Sequence, residues 1–247
     1  RRLDENAEII MFERGPHVSF SNCSLPFHLS GMIPDAESLV LMSPEKFDTS
    51  YNIDARVNCE VVKIDPKKKQ VHVRNLVSGE MYDESYDALY LSPGAKPIMP
   101  KNIAGIDRDN VFPVRNVVDI VKIDTYIKDH QVQRVAVVGG GYIGLEIMEN
   151  LKDRGLEVTL VEAASQVMRP IDDDIVQIVH QEIVSNGVDL VVGEAVCAIH
   201  DDHILTNSGK KINADMVVMA IGVTPEVGLA VDAGIKLGET GAIAVDR

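Results

Sequence analysis

The clearest alternation of apolar and polar segments lies in the second half of the chain, between positions 134 and 162. Residues 134–138, RVAVV, form an almost continuous apolar run, which predicts a buried strand. The glycine-rich stretch GGGYIG follows and opens a predicted helix that Gly155 closes. A second apolar run, LEVTLVE, ends at Glu162. A strand, a helix and a strand in this order predict an α/β fold.

The other segments extend this pattern. The helix at 172–187 is predicted to bury Ile175, Ile178, Val179 and Ile183 on one face. The first residues, RRLDEN, resemble the last turn of a helix. Further helices are predicted at 43–52, where Ser43 is the N-cap, and at 116–131. Strands are predicted at 7–13, 55–65, 69–76 and 86–94, with a turn at 77–82.

Charge and composition narrow the classes of partner. The formal net charge is −14, with 38 acidic and 24 basic residues, which argues against nucleic acid because phosphate binding needs a concentrated basic surface. No apolar run approaches the roughly 18 residues of a membrane span. We therefore expect a soluble, acidic protein in a reducing, cytoplasmic setting.

The three cysteines, Cys23, Cys59 and Cys197, form no CxxC pair, so neither a zinc site nor a disulfide framework is predicted. Cys59 and Cys197 lie in strand-like runs and are expected to be small buried hydrophobic residues. Cys23 is different, because it lies among small and polar residues in SFSNCSLPF.

The glycines of GGGYIG have G-x-G-x-x-G spacing at Gly139, Gly141 and Gly144, after a strand and before a helix. In a dinucleotide-binding unit the first glycine permits the tight turn, the second lets the backbone approach a pyrophosphate, and the third allows close packing. Glu162, at the end of the next strand, can accept hydrogen bonds from ribose hydroxyls. NADH is favoured over NADPH, because Glu162 would repel a 2′-phosphate and no arginine follows it immediately.

A second acid, Glu13, follows the predicted strand at 7–13, so the chain holds two ribose-type acids. The glycine-rich turn expected about 20 residues before such an acid has no room before Glu13. The sequence therefore predicts two dinucleotide sites, one only partly present, and a chain that begins inside a domain.

Together these features resemble the pyridine nucleotide-disulfide oxidoreductases, which are FAD- and NAD(P)H-dependent flavoproteins. The resemblance covers nearly the whole chain and includes FER at 12–14, LSPGAKP at 91–97, FPVRN at 112–116 and AIGVTP at 220–225. It implies two Rossmann-like domains, the NAD domain inserted in an incomplete FAD domain. The expected division is 1–112 for the first part of the FAD domain, 113–226 for the NAD domain and 227–247 for the return.

Within the family, SFSNCSLPF resembles the active-site motif S-F-x-N-C-x-L-P-Y of coenzyme A-disulfide reductases and their persulfide-reducing relatives, with Phe27 in place of tyrosine. Two-cysteine reductases carry a second thiol five positions after the first, and this chain has His28 there. NADH oxidases and peroxidases usually have serine before the cysteine, whereas this chain has Asn22. A helix starting at Cys23 would stabilise the thiolate.

The resemblance implies a role for each matching residue. Cys23 is the redox cysteine, and Arg2, Ser19 and Asn22 match positions that contact coenzyme A, although Ser19 and Asn22 could simply hold the turn. His28 is expected to be a partly exposed structural residue, and Met168 to pack in a loop. The FAD and NADH contacts are predicted at Glu13, Arg14, Pro93, Gly94, Ala95, Arg115, Gly139, Gly141, Tyr142, Ile143, Gly144, Glu146, Glu162 and Gly222.

Three functional hypotheses remain at this point. The first is an enzyme that passes electrons from NADH through FAD to Cys23 and reduces coenzyme A disulfide, coenzyme A persulfide or polysulfide. The others are an NADH oxidase or peroxidase with a cysteine sulfenate, and a non-catalytic redox sensor that binds nucleotide. The family's flavin-contacting segment and dimerisation domain would follow position 247, so the homodimer and the activity are expected of a longer parent enzyme.

Overall fold

The computed structural model describes residues 3–245, and the chain divides into two compact units. The first unit contains residues 3–21, Val40–Lys96 and 225–245. The second contains Asn22–Leu39 and Pro97–Thr224. The sequence placed the first boundary at 112 and kept residues 22–39 with the first domain. The compact unit that starts at Pro97 also includes residues 22–39, because the helix after Cys23 packs on helices of that unit. The division into FAD and NAD domains stays a prediction.

The α-helices of the described chain are α1 (Leu25–Leu29), α2 (Pro44–Tyr51), α3 (Val117–Asp129), α4 (Tyr142–Asp153), α5 (Asp173–Ser185) and α6 (Gly228–Asp232). Short 3₁₀ turns cover Asn22–Ser24 and Ala36–Leu39. Predicted caps are present: the Ser43 side chain accepts a hydrogen bond from the Lys46 N–H at 3.3 Å, at the start of α2.

The strands are β1 (Ile10–Phe12), β2 (Asp54–Arg56), β3 (Cys59–Asp65), β4 (Gln70–Asn75), β5 (Met81–Ser85), β6 (Ala95–Pro97), β7 (Val111–Pro113), β8 (Arg134–Val138), β9 (Glu157–Glu162), β10 (Asp189–Val192), β11 (Val196–Ile199), β12 (His203–Thr206), β13 (Lys211–Asn213), β14 (Met216–Met219) and β15 (Val223–Pro225).

The second unit is built on a five-stranded parallel sheet in the order β10-β9-β8-β14-β7. β8 and β14 lie inside this sheet, and their apolar runs are buried because both faces are covered. The antiparallel strands β11, β12 and β13 add Ile199, Ile204 and Ile212 to the same apolar core. The predicted α/β fold is confirmed.

The first unit combines a parallel pair, β1 and β2, with an antiparallel sheet of β3, β4 and β5. Its core contains Cys59, Ile64, Val71 and Val73, against which Leu229 of α6 packs. The residues of β1 are only half-buried, although the sequence predicted a buried strand.

Two predictions about secondary structure in the first unit were wrong. Residues 3–6 form a bend and a turn and not the last turn of a helix. The third strand of the antiparallel sheet is β5 and not 86–94. The Asn75 side chain accepts hydrogen bonds from the N–H groups of Val77 and Ser78, so the turn closes early and pairing resumes at Met81.

The second unit corrects two further predictions. On α5, Val176 and Ile183 are buried, whereas Ile175 and Ile178 are 53% and 69% exposed. Cys197 is exposed on β11, because its side chain points away from the core, while Cys59 is buried as expected. None of the helices in residues 3–245 combines the length and the apolar character needed to cross a bilayer.

Candidate functional site

The glycine motif forms the turn between β8 and α4, and each glycine is required for a different reason. Gly139 has a φ of +111°, and a Cβ there would collide with the Ala220 carbonyl. A Cβ on Gly144 would collide with the Gly139 carbonyl oxygen, so the helix can approach the strand only without a side chain. A Cβ on Gly141 would meet nothing within 4 Å, and this exposed backbone is open to a ligand.

The start of α4 presents N–H groups that no side chain caps. Gly141 is the N-cap residue and has no side chain to accept a hydrogen bond. Tyr142 and Ile143, the first residues of the helix, are 69% and 40% exposed. Free N–H groups and the positive end of a helix dipole favour an anion such as a pyrophosphate, so the turn fits the dinucleotide that the sequence predicted.

Glu162 ties the end of β9 to this turn. Its Oε2 accepts a hydrogen bond from the Gly140 N–H at 2.6 Å, and its Oε1 accepts one from the Ala164 N–H at 2.7 Å. The backbone of Gly193 donates to the Ala164 carbonyl, and that of Glu194 to the Glu162 carbonyl. A carboxylate has about four lone-pair sites, so the half-buried Glu162 keeps capacity for ribose hydroxyls.

Glu13 repeats this arrangement at the end of β1. Its Oε1 accepts a hydrogen bond from the Gly15 N–H at 2.6 Å. Asn58, which has a φ of +52° where the second unit has Gly193, donates to the Gly15 carbonyl, and Cys59 donates to the Glu13 carbonyl. The two predicted ribose acids therefore end their strands with the same backbone connections, one in each unit.

The segment after Glu162 supports the glycine turn, and sequence reasoning identified this only in part. The Met168 N–H donates to the Gly140 carbonyl at 2.8 Å, and Met168 is buried, in agreement with its expected packing role. Val167 fills the space over Gly140, where a Cβ would come within 2.7 Å of its side chain. The Val167 N–H donates to Nε2 of His180 on α5 at 3.3 Å. In the sequence, the apolar pair Val167–Met168 within a polar loop was the signal that this segment packs against the turn.

Three more predicted cofactor residues lie in the second unit. Gly222 has a φ of +114°, and its carbonyl accepts a hydrogen bond from the Ile98 N–H. It lies two residues after Ala220, whose carbonyl is next to Gly139. Glu146 is exposed on α4, one turn after the glycines. Arg115 is half-buried immediately before Asn116, the N-cap of α3. The structure thus brings Gly222 and Glu146 to the glycine turn, at the carboxyl ends of β8 and β14.

The remaining predicted FAD contacts lie in the first unit. Arg14 is exposed, with its Nη1 4.0 Å from a carboxylate oxygen of Glu60. Gly94 has a φ of +73°, and its carbonyl accepts a hydrogen bond from the Glu226 N–H at 2.9 Å. Pro93 is half-buried, and Ala95 begins β6. Arg14 directly follows Glu13, whereas residues 93–95 belong to a different segment of the first unit.

Cys23 lies in the 3₁₀ turn Asn22–Ser24, immediately before α1, and its side chain is exposed. The α-helix begins at Leu25, two residues later than the sequence predicted. Asn22 is exposed beside Cys23, whereas Ser19 lies in the first unit, where its carbonyl accepts a hydrogen bond from Leu41. Arg2 lies outside the described residues.

His28 occupies the position of the second thiol in two-cysteine reductases, and its surroundings are structural. It is 8% exposed, and its Nδ1 lies 2.7 Å from the Ile33 carbonyl oxygen, closing the turn after α1. The sequence predicted a structural histidine but placed it partly at the surface. Its burial follows from its position on the inner face of α1, with Leu25 and Leu29.

A second concave region of the described chain lies away from the glycine turn. A cleft of about 600 Å³ lies at the amino-terminal ends of β8, β9 and β10, opposite the glycine turn, and contains none of the predicted site residues. Among residues 3–245, no group of three or more His, Cys, Asp or Glu side chains is arranged to hold a metal ion.

Comparison with known proteins matches the chain to one family and to oxidoreductases. The family model of the pyridine nucleotide-disulphide oxidoreductases matches residues 1–247. A coenzyme A disulfide reductase of Staphylococcus aureus is 35% identical over 246 residues, covering all of this chain and 55% of the relative. The chain therefore spans about half the length of this curated relative.

Solved structures superpose closely. Reduced Bacillus anthracis CoADR-RHD has a TM-score of 0.94 and 44% identity, over 97% of this chain and 43% of that one. An NAD-dependent persulfide reductase from A. fulgidus has a TM-score of 0.94 and 31% identity, over 99% and 47%. A water-forming NADH oxidase from Lactobacillus brevis, bound to NADH, has a TM-score of 0.90 and 32% identity, over 99% and 54%. The chain belongs to the pyridine nucleotide-disulphide oxidoreductase family.

Proposed function

We propose that this chain carries the NADH-binding and thiol-bearing parts of a flavoprotein reductase that acts on coenzyme A disulfide, or on coenzyme A persulfide or polysulfide. The observation that supports this proposal most directly is an exposed thiol, Cys23, with histidine in place of a second redox cysteine at position 28; the other exposed cysteine, Cys197, lies on β11. Cys23 lies at the surface, His28 is buried against Ile33 where a second thiol would be, and Cys59 is buried in the core of the first unit.

Without a second thiol at position 28, a disulfide substrate would supply the second sulfur of the redox pair. The Cys23 thiolate attacks one sulfur of coenzyme A disulfide, a bond forms between Sγ and that sulfur, and coenzyme A thiolate leaves with the electron pair of the broken bond. Two electrons and a proton then convert the mixed disulfide to the Cys23 thiolate and a second coenzyme A thiol. The net reaction consumes one NADH and one proton and yields two thiols and NAD⁺.

The glycine turn would bind the electron donor through its pyrophosphate. When bound, NADH supplies hydride and FAD passes the electron pair on to sulfur. The free N–H groups at the start of α4 would hold the pyrophosphate. Glu162 would accept hydrogen bonds from the ribose hydroxyls and disfavour the 2′-phosphate of NADPH. Glu13, with the same backbone arrangement, is proposed for the FAD ribose. Asn22 is proposed to contact coenzyme A. The proposal also includes a homodimer and a reducing, cytoplasmic setting.

An assay of NADH oxidation tests the proposed function. The full-length parent enzyme, supplied with FAD, is expected to oxidise NADH only when coenzyme A disulfide or persulfide is added, with two thiols released per NADH for the disulfide. The Cys23→Ser variant is expected to abolish thiol release, and Cys197→Ser to retain it. NADH consumption that needs oxygen alone and releases no thiol contradicts the proposal.

A second candidate is a water-forming NADH oxidase, which the likeness to the Lactobacillus brevis enzyme favours. In that case Cys23 would cycle through a sulfenate. The same assay separates the two functions, because only the oxidase consumes oxygen in proportion to NADH without coenzyme A disulfide.

A further inference from the structure

Helix α1, which follows Cys23, is too short to be stable without support from its surroundings. It has five residues, and isolated helices shorter than about 12 residues are marginal in water. Leu25 and Leu29 are 3% and 1% exposed, and the helix packs against α3 and α4 of the second unit. The position of the Cys23 turn therefore depends on contacts made by those two longer helices.

Arg154 provides polar contacts that hold α1 in place. Its Nη1 donates to the Leu29 carbonyl oxygen at 3.1 Å, at the carboxyl end of α1, and to Oδ1 of Asp124 on α3 at 2.7 Å. Both side chains are largely buried, at 18% exposed for Arg154 and 14% for Asp124. One guanidinium thus connects α1, α3 and the end of α4.

The electrostatics hold Arg154 in this position. Burial raises the pKa of Asp124, but hydrogen bonds from Lys128 and Arg154 outweigh it and keep the pKa below its ordinary value. A positive charge at the carboxyl end of α1 also interacts favourably with the helix dipole. Arg154 immediately follows α4, the helix that begins at the glycine turn.

We propose that Arg154, oriented by Asp124, is a positioning residue that fixes the Cys23 turn for attack on the bound substrate. This inference rests on the proposed function, because it concerns the step in which Cys23 attacks coenzyme A disulfide. Arg154 does not touch the substrate; it acts through the Leu29 carbonyl and the orientation of α1. It also places the thiol and the nucleotide turn on one shared scaffold, α4.

The test compares two disulfides in a Cys197→Ser background, where Cys23 is the exposed cysteine. One is coenzyme A disulfide, followed by mass spectrometry of the Cys23 adduct. The other is 2,2′-dithiodipyridine, a small reagent that needs no binding site and whose reaction is followed by absorbance. Arg154→Met removes the guanidinium, Arg154→Lys keeps a charge, and Arg134→Met removes an equivalent arginine paired with Asp215 elsewhere in the unit.

For Arg154→Met, the limiting rate with coenzyme A disulfide is expected to fall roughly tenfold or more, since small misplacements of reacting groups slow attack by such factors. The half-saturating concentration and the dithiodipyridine rate are expected to stay unchanged. Arg154→Lys should recover part of the limiting rate, and Arg134→Met should match the background. Asp124→Asn, nearly isosteric, should lower the limiting rate in the same way if Arg154→Met does not fold.

An unchanged limiting rate in Arg154→Met and Asp124→Asn overturns the inference. So does an equal fall with both reagents, since that would indicate general loosening of the unit. A background chain that reacts with dithiodipyridine but shows no saturable reaction with coenzyme A disulfide contradicts the proposed function, and the inference with it.

Discussion

At the scale of single residues, Glu13 and Glu162 end two strands with the same hydrogen bond, to the backbone N–H two positions further on. Both could be predicted from sequence, because an apolar run that ends in an acid is a local pattern. The support of the glycine turn by Val167 and His180 could not, since it joins a loop to a helix that only the folded chain brings together.

Substitutions at Gly144 and Gly141 are expected to affect stability and NADH binding differently. Gly144→Ala places a methyl group against the Gly139 carbonyl, and is expected to cost about 1–3 kcal/mol of unfolding free energy. Gly141→Ala meets open space at a φ of −84°, so stability should be retained. NADH binding should weaken, however, because the methyl group covers the backbone that approaches the pyrophosphate. Thermal unfolding and NADH titration of both variants check this; equal unfolding temperatures for the two would contradict it.

At the scale of elements, the sequence predicted β8, α4 and β9 well, because buried strands, a glycine turn and a capped helix are signals within one short segment. The buried face of α5 was predicted less well. Two apolar stripes run along this helix, one through Ile175 and Ile178 and another through Val176 and Ile183. Periodicity cannot choose between them, because the choice depends on which stripe faces the sheet.

The two stripes of α5 give a direct comparison. Val176→Ala removes buried atoms and leaves a cavity, with an expected loss of about 2 kcal/mol in unfolding free energy. Ile178→Ala removes more atoms from a side chain that is 69% exposed, and is expected to change stability by less than about 0.5 kcal/mol. Chemical denaturation measures both. A larger loss for Ile178→Ala would mean that the helix packs through the other stripe.

At the scale of the whole molecule, acid is expected to weaken the second unit through its paired carboxylates. Burial raises the pKa of Asp215, but hydrogen bonds from the Arg134 side chain and from the Arg134 and Gln133 N–H groups lower it below its ordinary value. A lowered folded-state pKa gives stability that is present above the unfolded value of about 3.9 and lost as the pH falls through the folded value.

Asp215→Asn should therefore lower the unfolding temperature at pH 7. The difference from the parent chain should shrink as the pH falls below about 4, because Asp215 of the parent is then neutral in the unfolded chain and, further down, in the folded one. Unfolding temperatures from pH 7 to pH 2 measure this. A difference that stays constant over that range would show that Asp215 acts through packing alone.

The family, the α/β fold and the glycine turn could be predicted from short motifs spread along the chain. The division into two compact units could not be predicted in this way. Residues 22–39 join the second unit through the packing of Leu25 and Leu29, which no local pattern reveals. This placement packs the thiol segment against α3 and α4, and α4 begins at the nucleotide turn. That packing is the basis of the proposed link between the thiol and the turn.

The most direct test of the proposed function is mass spectrometry of the chain after incubation with coenzyme A disulfide. The predicted result is one coenzyme A adduct on the peptide that contains Cys23, removed by dithiothreitol and absent from Cys23→Ser. Cys197, which is also exposed, serves as the internal control and should remain largely unmodified. No adduct at Cys23, or equal modification of Cys23 and Cys197, would contradict the proposal that Cys23 receives coenzyme A.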